Sequence, residues 1–347
     1  MSLFEQKTRS ARFVVTTELT PPKGIDLSEF FAKADALKGF VDAINITESP
    51  RARMAVEPKS VGHLLQDRGI EAIVQITARD RNRIAIQADL LGGCLLGIGN
   101  YLFMTGDDPK NGDHKEAKGV FDLTTIEMLN AARSLRGGRD LSGNALHGAP
   151  RMFLGSTLNP GSQDLAREVE NTWRKIDAGS QFFQTQAIYD TGLLARFLDA
   201  AKLGDIPLLA GVIPLKSAKM GVWLNENVPG VRVPAPLLEE MDRAGPDGEA
   251  AQGIEIAART VRELRGICKG VHVMAIGWEQ RIPEILSTAG VTPEGGSWPT
   301  PAGTSARSAP IRFKPAMAAI VLAISWAKRA LKISITSSSW APTECAA

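Results

Sequence analysis

Short apolar runs rich in β-branched residues return along the chain, and between them apolar residues recur three and four positions apart. The runs are Phe13–Thr17, Val41–Ile46, Ala72–Thr77, Tyr101–Met104, Met152–Ser156, Phe182–Thr185, Pro207–Val212 and Val271–Ile276. Their length and composition predict buried strands. Helical spacing is clearest in three stripes. The first is Leu27, Phe30, Ala34 and Leu37; the second is Ile84, Ala88, Leu91 and Leu95, after a cap at Asp80. The third is Leu165, Val169, Thr172 and Ile176, opened by Ser162 and closed by Gly179. Each stripe predicts a helix with that face on the core.

Eight strands alternating with helices over about 280 residues predict a (β/α)8 TIM barrel. A doubly wound sheet would carry a Gly-rich phosphate turn after its first strand, where this chain has Glu18-Leu-Thr-Pro-Pro-Lys-Gly24. The glycines of Leu91–Asn100 fall within a helix and its exit, the wrong context for a dinucleotide motif. Near residue 290 the pattern changes. Residues 1–290 form the predicted catalytic barrel. Residues 291–347 hold Glu294 and Glu344 against six basic residues and are rich in Ser, Ala and Pro. That composition predicts a peripheral or poorly ordered non-barrel tail. Its apolar run Ala316–Ala327, at twelve residues, is too short to span a bilayer.

Composition narrows the function classes. With 44% hydrophobic and 22% charged residues an ordinary core is available, and a net charge of +2 gives no general attraction to nucleic acid or an acidic membrane. Cys94, Cys268 and Cys345 form no pair and no cluster with the four histidines, so neither a metal centre nor a disulfide framework is expected. The polar start, Met1 to Arg12, lacks a signal-peptide core, which predicts a cytoplasmic protein.

In a barrel the strand carboxyl ends converge on one pocket. Here they bring Glu18, Asn45, Thr47, Gln75, Thr77, Thr105 and Asp107, and then Ser156, Asn159, Gln186, Met274 and Trp278. This set has two carboxylates, several amides and hydroxyls, and no histidine. It suits a polar heterocycle read by Asp and Gln side chains better than metal-assisted hydrolysis. Thr105-Gly-Asp-Asp-Pro109 is either part of such a site or a solvated acidic turn. Glu18 precedes Pro21-Pro22 and is either a partly desolvated general acid or a helix cap paired with Lys23. After the fifth strand, Glu168, Asn171 and Lys175 share a helix face beside Arg174. That face either grips the ribose and phosphates of a cofactor or is a solvated ion-paired surface.

Four separated motifs resemble one family. Phe13-Val-Val-Thr-Thr-Glu-Leu-Thr-Pro-Pro-Lys-Gly24 resembles the first strand of the methylenetetrahydrofolate reductases, and Thr105-Gly-Asp-Asp-Pro109 their strand-four loop. Asn171-Thr-Trp-Arg-Lys-Ile-Asp-Ala-Gly179 with Gln184-Thr-Gln-Ala-Ile-Tyr-Asp190, and then Gly211-Val-Ile-Pro-Leu215, are similar to later segments. The likeness runs from about residue 11 to 290. It is nearest to the short bacterial, acetogen-like branch, where Thr77-Ala-Arg-Asp-Arg-Asn-Arg83 has a counterpart.

The resemblance implies FAD, reduced by NADH or NADPH, passing hydride to methylenetetrahydrofolate in one-carbon metabolism. It implies that Glu18 is the catalytic acid and that Asp107 and Gln186 hold the pterin. The flavin site would be Asn45, Gln75, Thr105, Gly106, Ser156, Glu168, Asn171, Arg174 and Lys175. Many members have Arg, His and Tyr where this chain has Thr105, Gln75 and Ser156, so three flavin contacts are lost. Two alternatives remain. One is a flavin barrel of the proline-dehydrogenase type, which would carry paired Arg residues near the last strand where this chain has Met274-Ala-Ile-Gly-Trp278. The other is a folate- or corrinoid-associated binding subunit without redox activity. A homo-oligomer and a partner subunit are both compatible with this reading.

Overall fold

Inward and outward side chains alternate along each strand, and that alternation builds two cores around one barrel. A computed structural model describes residues 1–291. Eight parallel strands close in chain order, the first pairing the last with Val14 opposite Gly270. They are β1 (Val14–Leu19), β2 (Ala43–Ile46), β3 (Ala72–Thr77), β4 (Asn100–Met104), β5 (Phe153–Leu158), β6 (Phe182–Ala187), β7 (Leu208–Val212) and β8 (Gly270–Val273). α1 (Leu3–Arg9) precedes the barrel. Around it lie α2 (Ser28–Leu37), α3 (Pro58–Asp67), α4 (Arg83–Leu95), α5 (Thr125–Arg136), α6 (Leu165–Ala178) and α7 (Thr191–Ala201). α8 (Ala218–Asn227), α9 (Ala235–Leu264) and α10 (Ile282–Thr288) complete the ring. Gly245, at φ 64° just before Pro246, breaks α9 in two. Among the described residues no helix is long and apolar enough to cross a membrane.

The outward strand residues, such as Ile44, Val74, Phe103 and Leu154, pack against the helices in one continuous core. The inward residues nearest the strand starts form a second one, from Val14, Ala43, Ile73, Leu102, Phe153, Phe182 and Leu209. α1 closes this floor. Its Phe4 meets Phe182 edge-on at 5.2 Å, and Phe182 stacks on Phe153 at 4.9 Å. Gly155 lies beneath that stack, where a Cβ would run into the Phe182 ring. With the floor apolar and sealed, polar inward residues are left for the carboxyl half of the barrel.

All eight predicted strands are present, with ends shifted by a few residues. β8 stops at Val273 rather than Ile276, which has φ 49° and is exposed. The second predicted stripe is corrected. α4 buries Ile86, Leu90 and Gly93, while Ile84 is 74% and Leu95 90% exposed. Gly93 faces inward because the Tyr101 hydroxyl occupies the space a side chain would need. The cap of α4 is Asn82, whose side chain accepts from the Ile84 and Ala85 amides at 3.1 and 3.0 Å; Asp80 instead pairs with Arg79. α6 likewise starts on Asp164 rather than Ser162, and ends as predicted at Gly179, with φ 119°. Val291, assigned by composition to the tail, is buried against the barrel core. The rest of that tail, including Ala316–Ala327, lies outside the described residues.

Candidate active site

The strand ends surround a cavity of about 490 Å³ at the carboxyl mouth. Eleven of the predicted residues line it: Glu18, Thr47, Gln75, Thr77, Gly106, Asp107, Asn159, Glu168, Lys175, Gln186 and Met274. Beneath them lies a polar layer held by inward residues of four strands. Gln184 on β6 and Asn45 on β2 exchange amide hydrogen bonds of 2.7 and 3.2 Å, and the Gln184 amide also donates to the Thr16 hydroxyl at 3.3 Å. Thr16 Oγ1 is 2.9 Å from His272 Nδ1 on β8. The other ring nitrogen, Nε2, stands 3.6 Å from Glu18 Oε2.

Glu18 therefore sits where the buried network meets the cavity. Its side chain is 27% exposed and that of His272 only 4%. Which ring nitrogen carries the hydrogen follows from whether Thr16 accepts from Nδ1 or donates to it. At 3.6 Å, Nε2 and the Glu18 carboxylate are within ion-pair reach but beyond hydrogen-bond distance.

Asp107 stands in the loop after β4. Gly106, at φ +87°, makes the turn, and a Cβ there would come within 2.9 Å of Thr77 Cβ. Asp107 Oδ2 accepts from the Arg51 amide at 2.7 Å, which fixes one oxygen of this exposed residue at the cavity edge. Opposite, Gln186 is half-buried, with a long contact of 3.4 Å from its amide to the Pro229 carbonyl. Two further groups line the wall. Glu48 accepts from the Thr77 amide and pairs with Arg81. Arg79 is clamped by Asp80, which raises the guanidinium pKa, and donates to the Ser49 carbonyl at 3.1 Å.

On α6, Lys175 and Glu168 turn toward β5. Lys175 Nζ donates to the Thr157 carbonyl at 2.6 Å, and burial lowers its pKa against the pull of Glu168. Glu168 accepts from the Asn159 amide at 2.8 Å. Both are thus spent on shaping the β5 end. The remaining predicted residues lie elsewhere. Asn45 is buried in the layer below the cavity. Ser156 points outward from the barrel to the Ser180 hydroxyl at 3.0 Å, so its neighbour Thr157 faces the cavity. Thr105 is exposed beside the Thr125 hydroxyl at 3.3 Å. Arg174 is exposed and Asn171 half-buried on α6, and neither lines the cavity.

The expectation of a pocket without histidine is overturned by His272. Reading the last strand through Ile276 put its end at Met274 and Trp278, whereas β8 stops at Val273, which leaves His272 near the mouth. Glu48 and Arg79 were also missed. The signal available was the position of Glu48 just past β2 and of Arg79 just past β3.

A closed eight-stranded parallel barrel with polar side chains converging at its carboxyl mouth is the (β/α)8 class, whose active sites lie at that end. The family model described as methylenetetrahydrofolate reductase matches residues 3–290, and the chain belongs to that family of oxidoreductases. Methylenetetrahydrofolate reductase 2 of Schizosaccharomyces pombe is 24% identical over 240 residues, which cover 66% of this chain and 37% of that protein. The chain thus spans little more than a third of that longer relative. The 5,10-methylenetetrahydrofolate reductase of Pectobacterium carotovorum subsp. carotovorum is 23% identical over 312 residues, covering 85% of this chain and 99% of that one. A Clostridium thermocellum structure has a TM-score of 0.56 at 15% identity, over 84% of this chain and 99% of that chain. At that identity the likeness is one of fold. Its title describes an uncharacterized protein that binds two copies of 5-methyl-5,6,7,8-tetrahydrofolic acid.

Proposed function

We propose that this protein reduces 5,10-methylenetetrahydrofolate to 5-methyltetrahydrofolate, or runs the reverse oxidation, using NADH or NADPH with FAD as the carrier. The observation that carries the reading is Glu18 on the cavity wall, 3.6 Å from a buried histidine that is itself hydrogen-bonded onward to Thr16. Family membership, and the folate bound by the Clostridium thermocellum protein of the same fold, support it.

The wall near β3 and β4 fits a flavin ring. The Thr77 hydroxyl is buried there without a hydrogen-bond partner, beside the Gln75 amide and the side-chain-free Gly106. Bound, a flavin supplies two-electron hydride chemistry. The protein supplies the rest. Glu18 gives its proton to N10 of the bridged folate, the bond from N10 to the methylene carbon breaks, and an iminium is left at N5. Hydride added to that methylene carbon completes the N5-methyl group. His272 stands in reach to restore the proton. Asp107 and Gln186 accept from and donate to the pterin edge, which fixes the face presented.

A second reading, a folate-binding protein without flavin, draws on the positions of Thr105, Ser156, Asn171 and Arg174, all outside the cavity. The visible spectrum of the purified full chain separates the two, since bound flavin absorbs at about 450 nm. With flavin present, Glu18→Gln is expected to keep its reduction by NADH and to lose folate turnover by about 10²–10⁴-fold. A variant that turns over folate at the parent rate removes Glu18 from the acid role.

A further inference from the structure

Asp107 is exposed, yet to meet a pterin edge it must present its carboxylate in one orientation. The Arg51 amide, 2.7 Å from Oδ2, supplies that restraint. This amide sits in a strained turn. Ser49 has φ 43° and ψ 59°, Arg51 has φ 57° and ψ 28°, and Ala52 has φ 53°. None of the three is glycine. Left-handed backbone at such residues persists only where neighbours fix it, and it clusters at ligand clamps. The turn is held at both ends. A Cβ at Gly112 would lie 2.0 Å from the Ala52 carbonyl oxygen, so the following turn packs directly against it. The Arg51 guanidinium lies over the Trp223 ring of α8 at 5.1 Å, and what Arg51 offers Asp107 is its amide.

At its start the turn is gripped by Arg79, whose side chain is 3% exposed and lines the cavity. Nε and Nη2 donate to the two Asp80 carboxylate oxygens at 2.8 and 2.7 Å. That pairing aims Nη1 at the Ser49 carbonyl, 3.1 Å away. The same residue backs Asp107 from its other side, since a Cβ at Gly106 would lie 3.2 Å from Arg79 Cβ. The amide that holds Asp107 and the main chain that leads into it thus converge on one side chain. We infer that Arg79 is a positioning residue for Asp107: clamped by Asp80, it holds the Ser49–Ala52 turn so that the Arg51 amide fixes the carboxylate for folate. This rests on the pterin role proposed for Asp107. Arginine is required because its planar fork engages a carboxylate and a carbonyl at once, whereas a lysine ammonium is a single point charge. A recognition group held in place before the ligand arrives binds without the cost of being ordered.

Two variants of the full chain loosen the clamp from opposite ends. Arg79→Lys keeps the charge and loses the fork; Asp80→Asn alters the exposed partner, which does not line the cavity. Hydrogen–deuterium exchange over residues 49–53 and titration with 5-methyltetrahydrofolate are read on each, with thermal melts to verify folding. Both variants are expected to exchange at least about tenfold faster at Arg51. Both are expected to bind 5-methyltetrahydrofolate about three- to tenfold more weakly. Asp107→Ala is the control that a merely structural ion pair does not satisfy. In that background Arg79→Lys is expected to weaken binding no further, because no carboxylate is left to position. Exchange at the parent rate, or losses from Arg79→Lys and Asp107→Ala that multiply, would overturn the clamp. Faster exchange in Arg79→Lys beside parent affinity in Asp107→Ala has a different meaning: the clamp stands, and the pterin role of Asp107 falls.

Discussion

His272 connects a solvent-facing acid to a buried amide network through two short steps, with Nδ1 at 2.9 Å from Thr16 and Nε2 at 3.6 Å from Glu18. Burying four polar side chains on adjoining inward positions costs desolvation unless each is satisfied, and here each has a partner. His272→Asn keeps a group able to bond Thr16 but removes the imidazole that faces Glu18. Folate turnover is expected to fall about tenfold or more while folate binding stays near the parent value. Stopped-flow turnover beside equilibrium titration measures both, and an unaltered turnover rate would take His272 out of the proton path. Asp107 poses the complementary question of recognition. Asp107→Asn can still accept from the Arg51 amide, which holds Oδ2 at 2.7 Å, but it turns an NH₂ donor toward the donors of a pterin edge. Such a mismatch costs roughly 1–3 kcal/mol, or about ten- to a hundredfold in folate affinity. The same loss of negative charge is expected to raise the potential of a bound flavin. Unchanged folate affinity together with an unchanged potential would exclude Asp107 from the site.

At the scale of elements, strands were more legible than helix faces. A strand buried on both sides announces itself as an apolar run, and all eight did so. The α4 segment is apolar on two sides. Ile86, Leu90 and Gly93 satisfy the helical period as well as Ile84, Ala88, Leu91 and Leu95 do, and only the fit of Gly93 over Tyr101 selects between them. Inward direction was the other illegible quantity. Ser156 and Thr157 are adjacent, and a shift of one residue exchanges cavity for helix layer; Ser156, which the family resemblance gives to the flavin site, faces the helix layer, and Thr157 faces the cavity. His272 was lost to the strand end instead, because β8 stops at Val273 and not at Ile276. The floor of the barrel gives this scale its prediction. Gly155→Ala pushes a methyl group into the Phe182 ring within the Phe4–Phe153–Phe182 stack. Overpacking of this sort costs about 1–3 kcal/mol. For a barrel of this size the melting temperature is expected to drop by roughly 2–10 °C. A melt indistinguishable from the parent would mean that β5 and β6 shift freely, against the sealed floor described above.

For the whole molecule, closure is the organising fact. The ring is completed by the pairing of β1 with β8, from Val14 opposite Gly270 to Thr17 opposite Val273, and α10 and Val291 then seal the outer core behind it. Every residue assigned to the cavity lies between Glu18 and Met274. The composition break near residue 290 puts a boundary there, which truncation tests. A barrel closed by its own hydrogen-bond ladder has no free sheet edge that needs covering from a later segment. A chain ending at residue 291 is therefore expected to be soluble, to melt cooperatively, and to bind 5-methyltetrahydrofolate with the affinity of the full chain. Calorimetric melting and ligand titration on the two forms decide it. If the shortened chain aggregates, the barrel relies on residues beyond 291 for its stability, and the boundary belongs further along the sequence. If it folds but binds folate at least about tenfold more weakly, those residues contribute to the site itself, and the catalytic unit is longer than the barrel.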